Sequence, residues 1–338
     1  MIILLVDNLD VTNTLTLLRD FVDRDYLPFI ERTKRQSTYR GYANMWKHYL
    51  LGLSDISLRD FRTSDGDRIL EQVAREHVLS VTTLAHIKAF LSGVFRYAKR
   101  KGALHTENPM RDAAVPSGAP AGETYAYSLE ETLTMLQILP EPATTAVATA
   151  AFTGVRKGEL RGLLWENYDG ENLGVRQSVW RGFTNAPKSR KSNAPVPVIP
   201  LVAERLNLLR QLAGFPVAGL IFPSPENTPL NLDKLAVEVI RPILAKAGIV
   251  WHGWHAFRRG LATNLHRMGV PDKTIQRILR HANVVVTQTC YIKTVGGDAA
   301  EAMRSLQAAV DALVKGNMYP LCTRSTQDVV GDEKQKLM

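Results

Sequence analysis

Apolar residues recur at helical spacing along most of this chain, and the front part is predicted to be helical throughout. Its second helix carries an aromatic stripe, which favours core packing over base stacking. The stripe consists of Tyr39, Tyr42, Trp46 and Tyr49. The fourth helix begins at the N-cap residue Ser80. The side chains expected to face the core are Leu84, Ile87, Leu91, Val94 and Phe95. The predicted helices cover 13–33, 37–53, about 63–77, and Ser80 to the RYAKRKG stretch.

The pattern changes at residues 108–123, NPMRDAAVPSGAPAGE, which are rich in Pro, Gly and Ala and show no periodicity. Such a composition is typical of an interdomain linker. A second domain begins near Tyr125, and Ser128 with Glu131 predicts a capping box for its first helix. The predicted parts are an N-terminal segment 1–12, a helical domain 13–107, a linker 108–124, a second domain 125–315 and a tail 316–338.

The second domain mixes helices with a few short strands. The stretch ATTAVATAAFTGVRKGELRGL predicts a buried helix, a break at Thr-Gly and another helix. LGVRQSVWRG and PVPVIP predict strands separated by a turn segment at 182–195. Helical spacing resumes near Leu201, and an amphipathic helix is predicted over 298–315. The predicted fold class is therefore mainly α with a small antiparallel β-sheet, in two domains.

Composition and charge narrow the choice of partner. The 338 residues are 45% hydrophobic and 22% charged, which is ordinary for a folded protein of about two domains. A net charge of +9 favours a polyanion, either nucleic acid or an anionic membrane. No stretch approaches the roughly 20 apolar residues that span a bilayer, and the start lacks the basic residues of a signal peptide. Nucleic acid is thus favoured, and only two cysteines fit a reducing compartment.

The segment WHGWHAFRRG, residues 251–260, gathers two histidines and two arginines. A zinc site, a buried polar pair and a phosphate clamp are three interpretations of such a cluster. Zinc is disfavoured because the segment holds no acidic residue and two guanidiniums would repel the cation. A P-loop at GFTNAPKSRKS is rejected because Pro187, which has no N–H, stands where the phosphate cradle needs glycine. That segment is instead predicted to be a basic turn.

A phosphate clamp accounts for more of the pattern. His255 and Arg258 are three residues apart, so both can project from one face of a helix start. Arg156 follows the Thr-Gly break, and Glu159 one turn later could orient a cation or an imidazole. Guanidinium groups bind phosphate oxygens in a planar, bidentate manner and offset the added charge of a pentavalent transition state. For any single arginine, a structural salt bridge is the simpler interpretation.

Four segments in order resemble the signature boxes of the tyrosine recombinase, or phage integrase, family. They are TGVRKGELRGLLWENYD, a basic turn with Lys188, HAFRRGLATNLHRMGV and ILRHANVVVTQTCYIK. The front part and linker resemble that family's core-binding domain and its connection, so the resemblance covers most of residues 13–315. Two positions depart from the family pattern. Ala256 and Phe257 stand where Asp-Leu is usual, and LRH replaces LGH, which introduces Arg280 as an expected DNA contact.

The resemblance implies a role for each matched position. Tyr291 matches the nucleophile, and Arg156 and Arg258 match the two arginines that clamp the phosphate. Lys188 matches the lysine that protonates the leaving oxygen, with Lys191 as the alternative. The remaining matches are His255 beside the second arginine, His281 before the tyrosine, and Glu159 as supporting acid. DNA contacts are expected at Lys99, Arg100, Lys101, Arg190, Lys191, Arg259 and Arg280.

The implied reaction joins Tyr291 to a DNA phosphate as a 3′-phosphotyrosyl ester and releases a 5′-hydroxyl, and a hydroxyl of a second strand reverses the step. One ester replaces another, so no metal, ATP or other cofactor is expected. The expected partners are double-stranded recombination sites, other copies of the chain in a tetramer that could be monomeric without DNA, and accessory DNA-bending proteins. The expected location is the cytoplasm, at the nucleoid. Helix 298–315 could dock on a neighbouring copy or on its own domain.

Three other functions fit parts of the pattern. The main alternative is a catalytically silent integrase-like protein that binds and regulates DNA. It would be expected to lack reacting residues, whereas every matched position is filled here. A type IB topoisomerase also uses a tyrosine, but the two-domain layout and the spacing of the boxes fit integrases better. A metal-dependent nuclease is the third.

Overall fold

The computed structural model describes residues 16–120, 122, 124–186 and 195–280. Within them the protein is mainly helical with small antiparallel sheets, which confirms the predicted fold class. Its buried apolar side chains form two large separate clusters, one within residues 18–113 and the other within 127–257. Each part of the chain therefore has a hydrophobic core of its own. In the same residues, no helix has the length and apolar character that a bilayer span requires.

The regular structure of the front part follows the predicted order of helices. Those helices are α1 (Leu18–Phe21), α2 (Leu27–Thr33), α3 (Gln36–Met45), α4 (Thr63–Glu76) and α5 (Val81–Arg100). A wide π turn, Val22–Tyr26, joins α1 to α2. It comes shortly before Pro28, whose ring and missing N–H disfavour a regular α-helical turn. The first predicted helix is thus one continuous segment with a local irregularity.

Helix α5 forms the centre of the front core. Ser80 caps it, since its Oγ accepts a hydrogen bond from the backbone N–H of Thr83 at 3.3 Å. All five side chains that were predicted to face inward are fully buried. Phe90, also on α5, contacts the rings of Tyr42 and Trp46, with centroids 5.2 and 6.1 Å away. The aromatic stripe therefore packs on the core, as predicted.

Residues 108–119 are more ordered than a linker composition predicts. They form no helix or strand, yet Met110 is fully buried in the front core and Ala113 is nearly so. The backbone N–H of Ala119 donates to Leu79 O at 2.8 Å, so the segment stays attached to the front part. Periodicity misses such order because isolated apolar side chains leave no repeating pattern.

The second part begins with the predicted capping box. The backbone N–H of Glu131 donates to Ser128 Oγ at 3.1 Å, and that of Ser128 donates to Glu131 Oε2 at 2.8 Å. The helices of this part are α6 (Leu129–Ile138), α7 (Ala143–Thr153), α8 (Lys157–Leu160), α9 (Pro200–Leu212), α10 (Leu232–Leu235), α11 (Arg241–Lys246), α12 (Trp254–Arg267) and α13 (Asp272–Leu279). Another π turn, Ala236–Ile240, lies between α10 and α11 and again comes shortly before a proline, Pro242.

The strands form two separate antiparallel pairs. β1 (Asn172–Leu173) pairs with β4 (Val196–Pro197), and β2 (Ser178–Trp180) pairs with β3 (Phe183–Asn185). Strand β3 lies inside the segment that was predicted to be a turn, so that prediction is wrong at its start. Arg181 and Gly182 have φ values of 45° and 85°, as a two-residue hairpin turn requires. The hairpin therefore closes there, and residues 187–194, which include Lys188, Arg190 and Lys191, lie outside the described residues.

Helix α7 lies at the centre of the second part. Its small side chains let α6, α9 and α12 pack around it, and every residue in it except Phe152 is buried. The hydroxyl groups of Thr149 and Thr153 donate to the backbone oxygens of Thr145 and Thr149, at 2.7 and 2.5 Å. These bonds satisfy polar groups that would otherwise be buried without partners. The end of α7 is thereby fixed, and the candidate site starts directly after it.

The two parts of the chain touch through α3 and the β2–β3 hairpin. Arg35, just before α3, donates from Nη2 to Ala186 O at 2.8 Å. The guanidinium of Arg40 lies over the rings of Trp180 and Phe183, 5.8 and 5.9 Å from their centroids. Cations attract aromatic faces at such distances. The hairpin that leads toward the predicted catalytic lysine is therefore held against the front part.

Candidate active site

The loop between α7 and α8 positions the first candidate arginine. Gly154 ends α7 in the left-handed conformation, with φ 62°. A Cβ there would lie 2.6 Å from a methyl carbon of Leu279 and 3.0 Å from one of Leu261, so glycine suits both the backbone and the space. Arg156 then takes the N-cap position of α8, and 39% of its side chain is exposed. Arg156 therefore presents its guanidinium at the surface.

Glu159 holds Arg156 in this position. Its Oε1 accepts a hydrogen bond from Arg156 Nη1, and its Oε2 accepts one from the backbone N–H of Arg156, both at 2.9 Å. Burial raises the pKa of Glu159, but the charges of Arg280 and then Arg156 outweigh that effect, and the net shift is downward. Glu159 is therefore a buried carboxylate that contacts both the backbone and the side chain of the candidate arginine.

Arg280 is placed differently from its prediction as a DNA contact. The residue is 4% exposed, and its Nη2 donates to Glu159 Oε2 at 2.7 Å. Burial lowers the pKa of Arg280, Glu159 opposes that shift, and the charge of Arg156 adds to it. The side chain that replaces the family's glycine thus turns inward. In this position Arg280 does not reach a duplex at the surface, and the prediction is corrected.

Arg258 is fully buried beside the same loop. Its Nη1 donates to Gly154 O and its Nη2 donates to Leu279 O. One guanidinium thus joins the end of α7 to the end of α13. The sequence predicted a direct phosphate clamp at this position, whereas the structure shows both terminal nitrogens bound to backbone carbonyls. Arg258 therefore links the two ends of helices beside the loop that carries Arg156, and its role in binding the phosphate stays a prediction.

His255 is an exposed residue near the start of α12, and its pKa is lowered to about 4. Partial burial is the largest cause, followed by the positive charges of Arg258, Arg259 and Arg156. The ordinary pKa of histidine is 6.5, so the imidazole is neutral at pH 7. All three arginines therefore lie close enough to His255 for their charges to disfavour its protonated form. The structure brings this imidazole and the two candidate clamp arginines together.

The other polar residues of WHGWHAFRRG support the loop before α12. His252 precedes the helix and stacks on Tyr125, with ring centroids 3.8 Å apart and planes at 11°. Arg259 donates from Nε to Tyr125 O at 2.6 Å. His252 and His255 thus do not share a helix, as the spacing for zinc would require. Among the described residues, no group of three or more His, Cys, Asp or Glu is placed to hold a metal ion.

Tyr127 is a residue of the site that the sequence did not single out. Its hydroxyl accepts the backbone N–H of His252 at 2.6 Å and donates to Val250 O at 3.2 Å. Gly260 lets α12 approach this segment, since a Cβ at Gly260 would lie 2.4 Å from Tyr127 O. More than 120 residues separate Tyr127 from these partners, so no local pattern could predict the contacts. The one sequence feature that indicated this close packing was Gly260, a glycine in the interior of a helix.

The remaining predicted site residues divide into two groups. Lys188, Arg190, Lys191, His281 and Tyr291 lie outside the described residues. Three exposed cations at the C-terminal end of α5 are described. Lys99 Nζ lies 3.7 Å from Glu107 Oε1, Arg100 lies 5.2 Å from the ring centroid of Phe29, and Lys101 lies over the ring of Tyr97. Their role in DNA binding stays a prediction.

Known proteins resemble this chain in sequence and in fold. Residues 128–295 match the model of the phage integrase family. A tyrosine recombinase XerC-like protein of Caldanaerobacter subterraneus subsp. tengcongensis is 25% identical over 336 residues, which cover 89% of this chain and 84% of that protein. The solved structure of the Tn1549 transposon integrase, in complex with transposon right end DNA, has a TM-score of 0.68 and 16% identity. It covers 86% of this chain and 100% of its own.

A second solved structure shares the fold. A lambda integrase tetramer bound to a Holliday junction has a TM-score of 0.62 and 21% identity, and the match covers 83% of this chain and 79% of that chain. The sequence match begins at Ser128, the first residue of the capping box, and includes all four signature segments. Residues 128–295 of this chain therefore belong to the phage integrase family of tyrosine recombinases, which are site-specific DNA recombinases.

Proposed function

We propose that this chain cuts and rejoins DNA at specific sites, with Tyr291 as the nucleophile. The observation that carries the proposal is the convergence of Arg156, Glu159, His255 and Arg258, which come from two segments about a hundred residues apart. An exposed guanidinium, a carboxylate that orients it and a neutral imidazole are the groups that phosphoryl transfer to a phenol needs. The resemblance to the family suggests the reaction and the roles, and the geometry of these four residues supports the proposal.

Arg156 binds the scissile phosphate in this proposal. Its guanidinium is partly exposed, and Glu159 fixes its orientation at 2.9 Å. A planar guanidinium offers two parallel N–H donors to phosphate oxygens. Arg258 adds positive charge close by and holds the loop of Arg156 in place through Gly154 O. In this proposal Arg156 contacts the phosphate directly, and Arg258 supports the loop that carries Arg156.

Proton transfer completes the reaction. The phenol of Tyr291 attacks phosphorus, the bond from phosphorus to the 5′ oxygen breaks, and a 3′-phosphotyrosyl ester remains. A free phenol has a pKa of about 10, so attack at neutral pH needs a base to accept its proton. His255 is suited to this role because its imidazole is neutral at pH 7. Lys188, or Lys191 in its place, donates a proton to the leaving oxygen, and His281 is the second imidazole.

The partners follow from the same proposal. Double-stranded recombination sites are bound by a core-binding domain at 13–107 and a catalytic domain at 125–315. Lambda integrase has been seen as a tetramer bound to a Holliday junction. We infer a tetramer on DNA for this chain as well, in which the helix predicted from the sequence over 298–315, outside the described residues, docks in cis or in trans. Recombination of DNA sites is also consistent with accessory DNA-bending proteins as partners and with a location at the nucleoid.

A covalent adduct tests the proposal. Sites are first selected by binding from a library of random duplexes and then made as nicked suicide substrates, which trap the cleaved state. Wild-type protein incubated with them in EDTA should form a protein–DNA adduct that resists denaturation, and Tyr291→Phe should form none. Tyr168→Phe is the matched control, because this tyrosine of the same domain is buried and donates to Gly170 O. It should form the adduct as wild type does.

The other outcomes separate the alternatives. Specific binding by wild type without an adduct would favour a silent DNA-binding regulator and contradict the proposal. Cleavage only after a divalent metal is added would favour a nuclease. Joining of strands between two duplexes identifies recombination, whereas relaxation of a supercoiled circle without joining identifies a topoisomerase.

A further inference from the structure

Arg280 occupies a backbone position that does not suit its side chain. It follows α13 with φ 55° and ψ 42°, in the left-handed region. A residue with a Cβ is disfavoured in that conformation, whereas glycine adopts it freely. Turn geometry alone would therefore select glycine here. An arginine at such a position points to a function for its side chain.

The side chain of Arg280 joins the candidate site through Glu159. It is 1% exposed, the side chain of Glu159 is 7% exposed, and Arg280 Nη2 lies 2.7 Å from Glu159 Oε2. The other carboxylate oxygen, Oε1, lies 2.9 Å from Arg156 Nη1. One buried carboxylate thus bridges two guanidiniums, and only that of Arg156 reaches the surface.

The net charge of the bridged residues Arg156, Glu159 and Arg280 determines how strongly they attract a phosphate. Arg156 and Glu159 alone form a pair with no net charge, and such a pair attracts a phosphate weakly. A second buried cation leaves the three residues with a net positive charge, and the low dielectric of the interior strengthens its effect. Arg280 lies close enough to Arg156 for their charges to repel, since Arg156 is one of the causes that lower the pKa of Arg280. The excess charge is therefore located at the site.

We propose that Arg280 is a positioning residue for DNA cleavage. It neutralises Glu159, so that Glu159 fixes the guanidinium of Arg156 without cancelling its charge toward the scissile phosphate. This inference rests on the proposed function, because it concerns the rate of the cleavage step. It replaces the DNA contact expected from the sequence with an indirect role through Glu159.

The test measures single-turnover cleavage of suicide DNA at saturating concentration, together with the Kd for the same DNA. Arg280→Met should lower the cleavage rate on the order of 10- to 100-fold, the size expected when a charged hydrogen bond is lost. The Kd should change little, and Arg280→Lys should recover part of the rate. Arg277→Met is the matched control, since it removes an exposed arginine from α13, the helix that directly precedes Arg280. It should keep the wild-type rate.

Two further measurements separate positioning from mere folding. In a Glu159→Gln background, Arg280→Met should have a much smaller effect on the rate, because there is no carboxylate left to neutralise. On DNA with an uncharged methylphosphonate at the scissile position, the difference between wild type and Arg280→Met should shrink. If Arg280→Met does not fold, Arg280→Gly replaces it, because glycine suits the left-handed backbone.

The opposite results would overturn the inference. A wild-type rate in the folded Arg280→Met or Arg280→Gly protein would show that Arg280 does not assist cleavage. An equal loss with and without Glu159 would show that it acts by another route. If wild-type protein itself forms no adduct, the proposed function fails instead, so the two failures are distinguishable.

Discussion

The two cores of this protein differ in what they bury. Among the described buried residues of the front part, only Ser54 is polar, and its hydroxyl donates to Leu50 O one turn earlier. In the second part, nine of the described polar or charged residues are buried, and they include Glu159, Arg258 and Arg280. The front core is thus held by apolar packing, while the second core combines packing with directional bonds between charged and polar groups.

This difference shows which part must be precise. Apolar burial is non-directional, and cores tolerate change when volume is kept. Buried charges are weak evidence for stability, since apolar residues that replace a whole buried ion pair often stabilise as well or better, whereas removal of one partner alone is destabilising. Their presence next to Arg156 therefore indicates a requirement of the site rather than of the fold. The front core needs only to be well packed, whereas the second core also needs to hold particular atoms of the site in place.

Removing one large buried side chain from each core should give the largest effects. Phe90→Ala should lower the free energy of unfolding by about 3–5 kcal/mol, because a fully buried ring leaves a cavity. Cleavage by the folded fraction should stay at the wild-type rate. Arg258→Met should lower stability by about 2–5 kcal/mol, because the oxygens of Gly154 and Leu279 lose their donors. It should also abolish cleavage.

Urea denaturation and the suicide-DNA assay measure these two quantities. Wild-type cleavage by Arg258→Met protein would remove the distinction between the two cores. So would a loss of cleavage in the folded fraction of Phe90→Ala protein.

A glycine from each part sharpens the comparison at a smaller scale. In Gly260→Ala, the new Cβ would lie 2.4 Å from Tyr127 O, so α12 has to shift. A loss of about 1–3 kcal/mol is expected from such overpacking. In Gly41→Ala, within α3, the Cβ meets nothing within 4 Å, and a gain of about 0.5–1 kcal/mol is expected from helix propensity. Thermal unfolding of the two variants checks both signs, and a stabilising Gly260→Ala would contradict the close packing.

The smallest effect concerns pH and involves the second part alone. The pKa of His255 is about 4 in the folded protein, below its ordinary value of 6.5. The unfolded chain therefore takes up a proton that the folded state resists, and stability present above pH 6.5 is lost as the pH falls toward 4. His255→Gln should flatten the curve of Tm against pH in this window. Parallel curves for variant and wild type would show that burial and arginine repulsion at His255 do not affect stability in this pH range.

Local patterns predicted the elements of this fold well. Helix starts at Ser80 and Ser128 and the break at Gly154 followed from cap and turn chemistry within a few residues of chain. The inward face of α5 followed from its apolar period. The hairpin was missed in part, because Arg181 adopts a positive φ that its residue type does not signal.

Motifs in the sequence proposed residues for the site, but they could not predict the contacts of those residues. The motifs identified Arg156, Glu159, His255 and Arg258, but Arg258 proved to be buried and bound to backbone oxygens. Arg280 was expected to face DNA and faces Glu159 instead. The sequence shows where an arginine stands. The burial of its side chain and the identity of its hydrogen-bond partner depend on segments more than a hundred residues away. The two domain boundaries stay predictions, although the separate cores agree with them.

The packing of residues 108–119 on the front part limits how the enzyme can open. Ala119 is bonded to Leu79 on one side, and Tyr125 is bonded to Arg259 on the other. The chain between those two anchors is short, and even fully extended it spans roughly 20 Å. This length limits how far the two halves can separate while both anchors hold. A rotation of one half about this short connection would break the contacts that Arg35 and Arg40 make with the hairpin and the residue after it.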